Sequence, residues 1–183
     1  MASSLGVWIV AAVLLFWSIG AYNRLVRLRS EARSAFAALE QELARQVQLV
    51  QACLPVESET QPASLFEGES TFWGSLQGAA AQFAASLAAA RSRPLDPEGM
   101  AALAAARDVL AMAWERAERD DAHDLAGSRL PDTISSTRAQ LVNQAQAAAE
   151  QFNLAVGRYN EAIEQFPAIL LAWLFGFRAG RGL

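Results

Sequence analysis

Residues 2–33 read ASSLGVWIVAAVLLFWSIGAYNRLVRLRSEAR, with no charged side chain before Arg24 and four arginines, Arg24, Arg27, Arg29 and Arg33, directly after. The uncharged run is dominated by Leu5, Val7, Ile9, Val10, Val13, Leu14, Leu15, Phe16 and Ile19. Together these side chains favour insertion into a bilayer by about 3–5 kcal/mol, which Gly6, Ser18 and Gly20 offset only in part. Roughly 20 residues cross a hydrocarbon core, and Trp8 and Trp17 lie toward the ends, where amphipathic rings prefer the interface. The run reads as a membrane anchor, residues 1–22. A cleaved signal is the weaker reading, because no basic residue precedes the apolar run and Ser18 and Gly20 match a cleavage site poorly. Ala21 stands where a lipoprotein would need cysteine. Arginines that follow the span but never precede it favour a single-pass inner-membrane protein with residues 24–183 cytoplasmic; a periplasmic placement stays open.

Beyond the anchor, apolar residues fall at Leu25, Leu28, Ala32, Phe36, Leu39, Leu43, Val47, Val50 and Leu54. Steps of three and four average 3.6, the period of a helix with one buried stripe. Nothing breaks this pattern before Pro55, so anchor and first helix are predicted to form one rod of about 50 residues, roughly 75 Å long. Residues 55–71, with Pro55, Pro62 and Gly68 and four glutamates, read as an acidic loop. Ser70 or Thr71 then caps a second helix with the stripe Phe72, Leu76, Ala80, Phe83 and Leu87. Gly74 and Gly78 on that helix invite close approach of a neighbour. Asp96-Pro97-Glu98 starts a third helix with a cap, a first-position proline and an acidic first turn. Its stripe is Met100, Leu103, Leu110, Trp114 and Ala117, fraying after Glu118. Gly127 and Pro131 mark the next connection. Asp132 or Thr133 opens a fourth helix carrying Leu141, Ala145, Ala148, Phe152, Val156, Tyr159, Ile163 and Phe166 on one face.

The expected fold is therefore all-α: a transmembrane helix continuous with the first helix of an antiparallel up-down bundle of about four long helices. The bundle covers residues 23–177, with the loop at 55–71, and residues 178–183 form a short tail. An even helix count returns the chain to the bilayer beside Tyr22. There residues 166–177, FPAILLAWLFGF, are too short to span; they lie in the interface as a second contact with membrane lipid, or fold onto the bundle end.

Composition narrows the function. Net charge is −4 and every basic residue is arginine. Such a domain is poorly suited to neutralising phosphates along a nucleic acid, so no nucleic-acid partner is expected. With one histidine and one cysteine the chain offers no recognisable catalytic apparatus, and neither enzyme activity nor a cofactor is assigned. His123 within Asp120-Asp121-Ala122-His123-Asp124 reads as a solvated helix end rather than a metal site, and Cys53 as a small core residue rather than a reactive thiol. Leu65, Phe66, Phe72 and Trp73, at the far end of the rod, read as a cap on the bundle or a docking tip.

Asparagine is a mediocre helix residue, yet it follows an aromatic at Tyr22-Asn23, Phe152-Asn153 and Tyr159-Asn160. Asn153 and Asn160, seven apart, share a face. Either Asn23 meets Asn160 in an interhelical amide contact, or these residues form a recognition patch near the membrane. Tyr22, Asn23, Asn153, Tyr159, Asn160 and Trp173 are the candidate interaction residues.

Two stretches together resemble the LemA family of bacterial membrane proteins. Tyr22-Asn-Arg-Leu-Val-Arg-Leu-Arg29, with Ala35-Phe36 and Leu39-Glu40, is similar to the family's post-anchor motif. Phe152-Asn153, Tyr159-Asn160 and Phe166-Pro167, ending in Leu174-Phe175-Gly176-Phe177, is similar to its C-terminal signature. Phe36 stands where the family usually has Trp, and residues 55–131 do not share the likeness. The resemblance implies one anchor, a long helical bundle and no established activity. A scaffold or interaction platform at the membrane is the expected role, with an unidentified protein partner and a homo-oligomer allowed; the alternative is a non-enzymatic sensor or adaptor for envelope stress or protein quality control.

Overall fold

The computed structural model describes residues 2–53, 67–122 and 132–183, and the side chains of 6–53, 74–119 and 133–183. Among the described residues all regular structure is helical: α1 (Ala2–Cys53), α2 (Glu67–Ser92), α3 (Pro97–Ala122), α4 (Asp132–Glu164) and the short α5 (Ala168–Phe175). The expected single rod is α1, unbroken over 52 residues. Its part from Gly6 onward is long and apolar enough, by length and composition, to cross a membrane.

The helical stripes become the core. From Leu25 to Val50 all eight predicted positions of α1 are buried, as are Leu76, Ala80, Phe83 and Leu87 on α2 and Met100, Leu103, Leu110, Trp114 and Ala117 on α3. With Ala145, Phe152 and Val156 of α4, most of these form one cluster to which four helices contribute. A second cluster, Leu25, Leu28, Tyr159, Ala162 and Ala168, joins α1, α4 and α5. Full burial of a Leu or Phe is worth about 1.5–3 kcal/mol relative to exposure, so these stripes dominate the stability.

Cross-helix contacts fix the order. Trp17 meets Phe166 edge-on, Arg24 donates to Gln165, Phe36 packs on Phe152, and Gln46 reaches the Leu141 carbonyl. Numbers rise along α1 as they fall along α4. Arg91 of α2 pairs with Glu40 of α1, and Arg138 of α4 binds Glu118 of α3 while lying over Trp114. Between α2 and α3 the chain turns within a few residues, and the Asp96 carboxylate accepts the Gly99 amide at 2.8 Å, the cap expected there.

Four expectations are corrected. α2 begins at Glu67, ahead of Ser70 and Thr71, because the few tenths of a kcal/mol that Ser and Thr lose in a helix do not stop one. Gly74 and Gly78 meet no close neighbour; a Cβ at either finds nothing within 4 Å. α3 continues past Glu118 to Ala122. Phe166 is exposed, since α4 ends at Glu164 and the buried stripe finishes at Ala162. Leu54, Leu65, Phe66, Gly127 and His123, with most of the acidic loop, lie outside the described residues, as do the side chains of Phe72, Trp73, Asp120 and Asp121.

Candidate functional site

The predicted site residues gather where α1 leaves its apolar stretch. Pro167 cannot continue α4, and the chain turns into α5, which packs Ala168 and Ala172 inward. Gly176, in the left-handed conformation at φ 68°, ends α5; the Phe177 amide donates to the Ala172 carbonyl at 2.9 Å. Only a residue without Cβ adopts this backbone without strain. The turn carries Phe175 and Phe177 onto Tyr22, with ring centroids 5.1 and 6.0 Å away. The Arg29 guanidinium lies 5.5 Å from the Phe177 centroid.

α5 is therefore anchored by two alanines and its flanking aromatics, while its remaining apolar side chains face outward. Trp173 is 85% exposed and Leu174 65% exposed, with Ile169, Leu170 and Phe175 also exposed. They adjoin the apolar part of α1, whose own large apolar side chains from Val7 to Ile19 are exposed.

Asn153 and Asn160 do share a face of α4, and what they hold is the tail. The Asn160 amide nitrogen donates to the Gly180 carbonyl, and the Gly180 N–H donates to Asn160 Oδ1, both at 2.8 Å. Asn153 does the same with Leu183, at 3.0 and 2.8 Å. The expected Asn23–Asn160 contact is thus replaced: Asn160 uses its amide on Gly180, and Asn23 is exposed. Tyr159, 1% exposed, is a core residue rather than a surface contact. Sequence reasoning missed Gly180, Leu183 and Leu95, which packs on the tail; the alternate glycines at 180 and 182 were the available signal.

Beneath the tail lies an open cavity of about 550 Å3 lined by Arg29, Arg33, Arg93, Arg178, Asp96, Glu98 and Tyr159. Arg29 Nε is buried without a hydrogen-bond partner among the described residues. Burial pushes the Tyr159 phenol above its ordinary range, opposed by the positive charge of Arg29 and Arg33. Cys53 is half-buried, and desolvation raises its thiol as well. That environment disfavours the nucleophilic thiolate.

Comparison with protein-family models, with curated proteins and with solved structures returns no match for this chain.

Proposed function

We propose that the chain is a LemA-like, single-pass membrane protein of the inner membrane, whose antiparallel up-down bundle is a non-catalytic interaction platform seated on the bilayer. One observation carries this reading: α5 docks against α1 beside its apolar stretch through Phe175 on Tyr22 and leaves Ile169, Leu170, Trp173 and Leu174 exposed. Exposed apolar side chains in a continuous belt mark a surface that meets lipid or protein. Arg24 and Arg27, exposed just beyond the apolar stretch, are placed to attract anionic headgroups, at roughly 1 kcal/mol each. The buried set described above is built from Ala, Leu, Val and Phe with Met100, Trp114 and Tyr159, material for packing rather than for proton transfer. The arginine distribution supports a cytoplasmic bundle.

Alkaline carbonate extraction of native membranes tests the anchor: the full-length chain is expected in the pellet, and recovery in the wash overturns the reading. A photoreactive residue at Trp173 tests the platform. It is expected to crosslink lipid or membrane protein, whereas one at Met112, exposed on α3, is not. Equal crosslinking from both positions refutes the placement.

A further inference from the structure

The asparagine pair on α4 is spaced to match an extended chain. Seven residues of helix rise about 10.5 Å. Three residues of extended chain, the separation of Gly180 and Leu183, cover about 10 Å. A carboxamide carries one acceptor and a donor with the geometry of a peptide group, so each asparagine pairs with a residue's N–H and C=O as a neighbouring strand does. All four bonds, between 2.8 and 3.0 Å, go to main chain. The contact reads backbone, not side chains.

Selectivity comes from space instead. A Cβ added at Gly180 stands 3.2 Å from Leu95 Cδ2 and 3.3 Å from Leu95 Cβ, and one at Gly182 overlaps the Asn153 amide. Leu183 packs against the main core cluster. Glu150, Arg158 and Glu161 border the shallow hollow beside Asn153, a mixed-charge rim that sets no preference at the residue between the two glycines.

We propose that the α4 surface at Asn153 and Asn160 is a binding site for extended peptide segments of the pattern glycine–any residue–glycine–apolar, and that residues 178–183 are its built-in occupant, displaced when a second polypeptide offers the same chemistry. A tethered segment competes at an effective concentration in the millimolar range, so the site is largely closed to peptides in free solution. The proposal is independent of the lipid contact at α5.

The test uses the full-length chain in detergent micelles and a fluorescent peptide with the sequence of residues 177–183. Gly182→Val unseats the tail by overlap with Asn153. Peptide affinity for this chain is expected to exceed that for the unsubstituted chain by at least tenfold, by fluorescence anisotropy. Adding Asn153→Leu and Asn160→Leu is expected to reverse the gain, with helical circular dichroism retained. A peptide carrying valine in place of both glycines, tested on the Gly182→Val chain, is expected to bind at least tenfold more weakly. Equal binding by all chains, equal binding of both peptides, or no binding to a helical Gly182→Val chain overturns the proposal.

Discussion

If α5 rests in the bilayer interface, Trp173→Glu should lift it out. An aromatic side chain of this size carries roughly 200 Å2, and at about 25 cal/mol per Å2 the exposed part of Trp173 is worth about 4 kcal/mol when fully removed from water. Half-immersion at the headgroup level leaves about 2 kcal/mol, close to a 30-fold shift between seated and lifted α5. The shift is readable by spin labelling. Leu174→Cys in a Cys53→Ser background provides one thiol on the exposed face of α5, and Gln151→Cys provides an exposed control on α4. In liposomes the label at 174 should show high accessibility to oxygen and low accessibility to a water-soluble nickel complex, with the order reversed at 151. Adding Trp173→Glu should move the label at 174 toward the values at 151. A label at 174 as open to nickel as the one at 151 would refute the interfacial seat, as would profiles indifferent to Trp173→Glu.

Three further outcomes are expected. Phe152→Ala removes the edge-on partner of Phe36, 5.5 Å away at the centroids, and should destabilise the bundle by about 3–5 kcal/mol in a urea titration followed by circular dichroism; a loss below 1 kcal/mol refutes that packing. Asp96→Ala removes the cap of α3 and should cost about 1 kcal/mol by the same titration, with Asp96→Asn retaining most of it. For Tyr159, burial favours the neutral phenol, so its folded-state pKa lies above the unfolded value. Its contribution is complete below the ordinary tyrosine range and is lost as pH rises through the raised value. Thermal midpoints should therefore fall above about pH 10 and fall less in Tyr159→Phe; identical alkaline slopes contradict this.

The helices were legible because their information is local. Leu25 through Val50 recur at 3.6 residues, and no proline or glycine pair interrupts the period, so both the continuity of α1 and its buried face could be read directly. The Asp96 cap was legible for the same reason, its partner being three residues away. Phe166 was misread because periodicity was carried beyond the point where Pro167 ends the helix. Gly74 and Gly78 were misread because a small residue permits close approach without requiring it. The asparagine clasp was harder to reach: it joins residues 20 and 30 positions apart through backbone atoms, and Gly180 and Gly182 are its one trace in the sequence. Pattern showed that Asn153 and Asn160 look the same way, but not at what.

The unbroken course of α1 has a mechanical consequence. Between Asn23 and Cys53 it rises about 45 Å, with no proline or glycine to act as a joint. A lean of only 5° at its foot carries the tip sideways by about 4 Å, and α4, packed along it from Leu25 to Gln46, travels along. Were the apolar stretch seated in a bilayer as proposed, changes in thickness or lateral crowding at the base would become displacement at the crown, with the helix serving as a lever.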